Sequence, residues 1–360
     1  MTDEAAKLRR GWTTGACAAA AARAAFAALD GGDFPDPVNV QLPGGQAPAF
    51  ALALSERGDG FCRAGVVKDA GDDPDVTHGA LIIARVSRNP PGAGVTFAAG
   101  EGVGMVTRPG LPVAVGEPAI NPMPRRMIAE AIAAEAALRG VATDAHVEIS
   151  VPGGEELARR TLNARLGIVG GLSILGTTGI VTPFSCAAWI STIHRGIDVA
   201  RACGLDRIAG ATGSTSEAAV RALHALPEEA LIDMGDFVGG MLKYLRRHPV
   251  KQVIVAGGMA KMTKLAQGLL DLHSKRGEVD LAFLAGFAPG ETAGKIRLAN
   301  SAKHAFEIAS DAGVALAPAV AEAAWRTAAK ALHGAPSELE IIVFDRDGAL
   351  LARTGFKPLP

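Results

Sequence analysis

The sequence predicts an α+β N-terminal domain followed by an α/β C-terminal domain with a mostly parallel, Rossmann-like sheet. Up to about residue 155, short alternating runs with tight turns lie between two strong helical stretches. Beyond about residue 160, short apolar runs alternate with helical stretches through glycine turns, the pattern of a parallel sheet covered by helices. A length of 360 residues suits two domains, and 49% hydrophobic against 20% charged residues makes them globular. The expected domains are 1–155 and 156–335. Residues 336–360 form a closing β-hairpin and tail that the sequence assigns to neither.

The first element is a helix over 16–29. Alanine dominates it, Thr13 or Thr14 can cap it, and Gly31-Gly32 ends it. Its small side chains let backbone or a ligand come close. Strands are predicted at 38–42, 50–55 and 61–68, with Gly58-Asp59-Gly60 as a hairpin turn, and then at 81–86 and 95–98. Residues 124–138 read as an amphipathic helix opening on proline, and 146–151 as an alternating strand. Further on, strand and helix alternate: 208–212 then 216–226, 230–234 then 237–247, 253–256 then 259–272. The run 281–285 is a further strand candidate, 302–312 and 319–333 are helical, and 341–344 with 349–352 make the hairpin. No repeat of fixed period is present.

A net charge of −1 argues against general binding of nucleic acid or membrane surfaces, so an anionic ligand must be met by local basic groups. Cys17, Cys62, Cys186 and Cys203 are widely spaced, without a CxxC pair. They fit a reduced cytoplasm as small core residues. Apolar runs are short and broken by glycine, and residues 1–10 are polar and charged. Neither a membrane span nor a secretory signal is expected, and the localisation is cytoplasmic.

Chemistry concentrates between Asp69 and His78, where Asp69, Asp72, Asp73, Asp75 and His78 crowd together. Such carboxylates repel unless a metal, a basic side chain or a helix N-terminus compensates them, and such sites often hold shifted pKa values suited to acid–base work. The same residues also suit a solvated loop that caps a helix. No His/Cys/Asp spacing makes a transition-metal site. Three glycine turns, 167–179, 210–217 and 256–259, are expected on one edge of the C-terminal sheet, where ligands settle. None matches GxGxxG, and no GxxxxGK[ST] exists, so dinucleotide and P-loop NTP binding are disfavoured, while an adenosine-containing ligand without phosphates, such as S-adenosylmethionine, is compatible. Basic pairs recur at Arg9-Arg10, Arg125-Arg126, Arg159-Arg160 and Arg246-Arg247. Arginine forks suit a polycarboxylate, although the last pair closes a helix before Pro249 and reads as solvated.

Long stretches then carry a resemblance. They are Arg10-Gly11-Trp12-Thr13-Thr14-Gly15-Ala16-Cys17, the run 66–79, and 102–126 with Thr107-Arg108-Pro109-Gly110-Leu111 and Gly116-Glu117-Pro118-Ala119-Ile120-Asn121-Pro122. The match continues over 163–195, centred on Gly176-Thr177-Thr178-Gly179-Ile180-Val181, and through Ala211-Thr212-Gly213-Ser214. In these runs, in order along most of its length, the chain resembles the cobalt-precorrin-5B C1-methyltransferase family (CbiD) of anaerobic cobalamin biosynthesis. Trp12 stands where many relatives are expected to have tyrosine.

The resemblance implies S-adenosylmethionine-dependent transfer of methyl to ring carbon C1 of a corrin precursor. Cobalt arrives in that small-molecule substrate, so the protein needs no metal site. Gly170, Gly171, Gly176, Thr177, Thr178 and Gly179, with Thr212, Gly213 and Ser214, are expected to cradle the cofactor in the second domain. Arg10, Arg108, Arg125 and Arg126, with Thr13, Thr14 and Gly15 at a helix N-terminus, are expected to meet substrate carboxylates in a cleft formed in part by the first domain. Asp69, Asp72, Asp73, Asp75 or His78 would relay a proton; His194 reads as a plain helix position. Neither nucleic acid nor membrane is an expected partner, and a homo-oligomer is compatible with the sequence. Two other readings remain at this stage: a magnesium enzyme of diphosphate chemistry using Asp72-Asp73-Pro74-Asp75, and a non-catalytic tetrapyrrole carrier.

Overall fold

The computed structural model describes residues 8–360. The chain divides into two compact units, the first ending at Ser185 and the second beginning at Cys186. The break falls beyond the expected 155/156 because the intervening stretch hydrogen-bonds back onto the first unit. Ile168 and Val169 pair with Val106 and Met105, and Ile180 and Val181 pair with Trp12 and Gly11.

The first unit is built on strands β1 (Leu54–Gly58), β2 (Phe61–Val67), β3 (Leu81–Arg88), β4 (Val95–Ala99) and β5 (Ala145–Ser150). Their order is β1-β2-β3-β5-β4, antiparallel except for β4 against β5. Asp59-Gly60 closes the β1–β2 hairpin, with Gly60 at φ +71° as a tight turn requires. Alternate residues (Cys62, Ala64 and Val66; Ile82, Ala84 and Val86; Val147 and Ile149) bury one face. On that core sit helices α1 (Thr14–Ala28) and α2 (Pro122–Arg139). Every residue of α1 except Arg23 is buried. A helix apolar all round has to be buried, and alanine methyls let its neighbours approach closely. Arg23 leaves the core by donating to Glu135 of α2 at 3.1 Å and to the Asn39 carbonyl at 2.7 Å.

In the second unit, β6 (Arg207–Ala211), β7 (Leu231–Asp233), β8 (Gln252–Gly258) and β9 (Glu338–Phe344) run parallel in the order β7-β6-β8-β9. The strand β10 (Leu350–Arg353) pairs antiparallel with β9. The C-terminal hairpin therefore belongs to this sheet and supplies one of its inner strands. Ile208, Val253, Val255, Ile341 and Val343 enter one core, and Ala209, Ile254, Ala256, Ile342 and Phe344 another, so both faces are covered. The helices are α3 (Cys186–Ala202), α4 (Ser214–His224), α5 (Val238–Leu245), α6 (Met259–Ala266), α7 (Leu281–Ala285), α8 (Gly290–Arg297), α9 (Ala302–Asp311) and α10 (Leu316–Leu332).

Two expectations are corrected. Residues 281–285 form helix α7, not a strand. The Asp280 carboxylate accepts from the Ala282 and Phe283 N–H groups at 2.8 and 3.2 Å, and this cap decides a short apolar run whose periodicity fits either state. Cys17 and Cys62 are core residues as expected, but Cys186 and Cys203 are exposed. No helix among the described residues is long and apolar enough to cross a membrane.

Candidate functional site

The aspartate run is a loop between β2 and β3, and its charges are compensated by two cations. Arg9 forks onto Asp69, with Nη2 to Oδ1 at 3.0 Å and Nη1 on Oδ2. The Arg9 hydrogen bond leads the causes that hold the Asp69 carboxyl down to about 2. Asp72 accepts the Arg9 N–H at 2.5 Å, while the Asp69 carbonyl accepts the Trp12 N–H at 2.7 Å. These bonds lace residues 9–12 to the loop. Gly11 permits the approach: a Cβ there would lie 2.0 Å from the Ala70 carbonyl carbon.

The second cation is Lys68, only 1% exposed. Its Nζ donates to Asp75 at 2.5 Å and to the Thr77 hydroxyl at 2.6 Å, and Asp75 also accepts the Thr77 N–H at 2.7 Å. Burial acts to raise the Asp75 carboxyl, but the Lys68 charge and these hydrogen bonds outweigh it, and the net direction is down. Asp73 accepts the N–H of Phe184 at 2.8 Å. The aspartates thus point to separate partners rather than forming one oxygen cage for a hard cation. His78 is half exposed, and its Nδ1 accepts the Ala70 N–H at 3.1 Å, which leaves the neutral ring's proton on Nε2.

Residues 167–179 lie in this same unit and not on the parallel sheet, which corrects the expectation of three turns on one edge. Their glycines serve mostly for backbone packing. A Cβ on Gly171 would meet the Gly102 carbonyl at 2.3 Å, and one on Gly176 (φ +124°) would meet Thr13 at 2.4 Å. Gly179, at φ +82°, packs on Leu42. Gly170 faces open space, and Thr178 bonds locally to Ile180. The start of α1 is tied to the segment: the Gly15 N–H donates to the Leu175 carbonyl at 3.0 Å, and Leu175 N–H to the Thr14 hydroxyl at 2.9 Å. Thr13 caps the Ala16 N–H. Little of this helix N-terminus is left for an external carboxylate.

The predicted arginines divide in the same way. Arg125 holds Glu117 at 3.1 Å and the carbonyls of Ile120 and Pro118, and stacks over Phe97. Arg126 pairs with Glu130 along α2. Arg108 donates to the carbonyls of Ala164 and Arg165. Arg10 is exposed, and no side-chain partner is found for it among the described residues.

Thr212, Gly213 and Ser214 stand in the other unit, at the carboxyl end of β6. Here a pocket of about 420 Å³ opens at the edge of the parallel sheet. It lies within the size range of small-molecule sites. The starts of α4, α6 and α9 line it together with Lys261, Lys303, Asp345 and Arg346. Neither Gly213 nor Gly258, the caps of α4 and α6, offers a side chain to the first-turn N–H groups, which are thereby left for a ligand. A Cβ on either glycine would project into open space. A larger hollow of about 580 Å³ follows the outer face of α4 to the start of β7, lined by three alanines and two leucines with Ser214, Glu217 and Arg221.

Sequence reasoning missed Lys68 as the counter-charge, because nothing in a loop distinguishes it from a solvated lysine. It also missed Lys261, Lys303 and Arg346, which come from three elements distant in sequence. The glycine turns at 213 and 258 were the available signal.

The CbiD family model matches residues 1–183, and the model for the CbiD C-terminal domain matches residues 271–355. A protein of Agrobacterium fabrum named cobalt-precorrin-5B C(1)-methyltransferase is 62% identical, the match covering 99% of this chain and 96% of that one. One of the same name from Methylorubrum extorquens is 60% identical, over 98% and 99%. A crystal structure of cobalamin biosynthesis protein (cbiD) from Archaeoglobus fulgidus is 28% identical, covers 85% of each chain and superposes with a TM-score of 0.40. With one family model spanning half of its length and relatives of such identity spanning nearly all of it, this chain belongs to the CbiD family.

Proposed function

We propose that this chain transfers a methyl group from S-adenosylmethionine to ring carbon C1 of cobalt-precorrin-5B, giving cobalt-precorrin-6A in corrin-ring synthesis. The observation that carries the reading is the 62% identity, along almost the whole chain, to a protein bearing that activity in its name. The pocket at the carboxyl edge of the parallel strands supports a cofactor site there. Its two bare glycine caps leave open space beside the helix N-termini, into which a side chain at either position would project, and this suits a bulky nucleoside ligand. When bound, the cofactor supplies an electrophilic methyl group. Thr212, Gly213 and Ser214 hold it, the glycine by yielding space, Ser214 by its N–H and hydroxyl, and Thr212 by its hydroxyl alone, since its N–H donates to the Ala256 carbonyl at 3.1 Å.

The first unit handles the substrate. Arg10 is the fork free to take a peripheral carboxylate, since Arg108, Arg125 and Arg126 already hold the chain's own oxygens. Asp69 stays ionised against Arg9 and is a poor base, and the His78 ring is oriented by the Ala70 N–H that its Nδ1 accepts at 3.1 Å. His78 holds a proton at Nε2. The protein's part in the rate is alignment in a water-poor site, which can be worth several orders of magnitude.

The test is transfer of labelled methyl from S-adenosylmethionine to cobalt-precorrin-5B, with calorimetric binding of S-adenosylhomocysteine. Gly213→Val should abolish binding without lowering the melting temperature, since a Cβ there meets no protein atom within 4 Å. Thr178→Val should bind normally. Loss confined to Thr178→Val would move the cofactor to the first unit, and absence of both binding and product would sink the reading.

A further inference from the structure

The sheet-edge pocket carries more positive charge than a nucleoside needs. Lys261, Lys303 and Arg346 stand on it against one carboxylate, Asp345, and the three come from α6, α9 and the β9–β10 turn. Their partners differ. Lys261 is held by Asp236 and by the Leu272 carbonyl at 3.1 Å. Lys303 makes only a surface contact with Glu307 at 3.4 Å, both side chains about half exposed. Arg346 has no side-chain partner among the described residues. Asp345, the one acid, spends its Oδ1 on the N–H groups of Asp347 and Ala349, at 2.9 and 2.7 Å, and so shapes the turn that presents Arg346. A chain of net charge −1 has thus placed an unpaired guanidinium, and a lysine whose one partner is exposed, at a pocket that also receives uncapped helix N–H groups.

We propose that Arg346 and Lys303 bind the carboxylate of the ligand in this pocket, namely the amino-acid end of the sulfonium cofactor. The inference rests on the methyltransferase reading and adds to it the polarity of the cofactor: methionine carboxylate toward the β9–β10 turn and the start of α9. A guanidinium gives a carboxylate two parallel N–H bonds, and the lysine adds a point charge.

Calorimetry with two probes tests it on the full chain. S-adenosylhomocysteine carries the carboxylate, whereas 5′-methylthioadenosine keeps the nucleoside and thioether but lacks the amino-acid end. Arg346→Met with Lys303→Met should weaken S-adenosylhomocysteine ten- to a hundredfold and leave 5′-methylthioadenosine within twofold. Both side chains are exposed, so the fold should survive, and an unchanged melting temperature checks this. Equal loss for both probes, or no loss for either, overturns the assignment while leaving the cofactor reading intact. Weakened binding of a polycarboxylate tetrapyrrole, with S-adenosylhomocysteine unaffected, overturns it in favour of a substrate carboxylate. If the unmodified protein binds neither nucleoside, the cofactor reading fails as well.

Discussion

At the scale of single residues, the ion pair of buried Lys68 with half-buried Asp75 decides how the aspartate loop is held. Lys68→Met would leave the Asp75 carboxylate without its cation, at a cost of about 3–5 kcal/mol in urea unfolding. Lys68→Met combined with Asp75→Leu should recover much of that, because an apolar pair needs no compensation. The pH dependence follows from Asp75, whose folded pKa lies below its ordinary 3.8. Its contribution is complete above about pH 4 and fades as pH falls through the folded value. The melting temperature should drop over that acid range, and less steeply in Asp75→Asn. A slope unchanged in that variant would show that the pair does not set acid stability. The aspartates were legible in the sequence as a cluster needing counter-charge. That Lys68 and Arg9 supply it was not, since both partnerships depend on how a loop folds back on a strand.

At the scale of elements, the glycines of 167–179 show where composition misleads. Glycine that lets a ligand approach and glycine that lets backbone approach look alike in sequence. The neighbours separate them: Gly176 lies against Thr13, Gly170 against nothing. Gly176→Ala should lower stability by about 2 kcal/mol or more, adding a clash on the α1 cap to left-handed strain, while Gly170→Ala (φ +87°) should cost only the strain, about 1 kcal/mol. Equal effects in thermal melts would mean that the Thr13 contact contributes nothing. Strongly patterned elements such as α1, α2 and the β6–β8–β9 strands were readable from periodicity. Helix α7 was not, because its identity rests on one cap residue, Asp280, and five apolar residues carry no decisive period.

At the scale of the whole molecule, the division at Ser185 separates the residues proposed for the cofactor from those proposed for the substrate. Binding energy is then delivered locally. A ligand present at about a hundred times its Kd stabilises the unit that binds it by about 2.7 kcal/mol, slowing exchange of amides that open only when it leaves by about a hundredfold. With S-adenosylhomocysteine, hydrogen exchange should slow around 212–217, 258–262, 301–304 and 345–347, all in the second unit. With a cobalt-corrin polycarboxylate it should slow around 9–15 and 69–79, in the first. These segments are far apart in sequence, so their joint protection would be a property of the folded pocket and loop rather than of local helix propensity. Protection of 170–179 by S-adenosylhomocysteine, with 212–217 unchanged, would return the cofactor to the first unit and leave the cations of the sheet edge to another ligand.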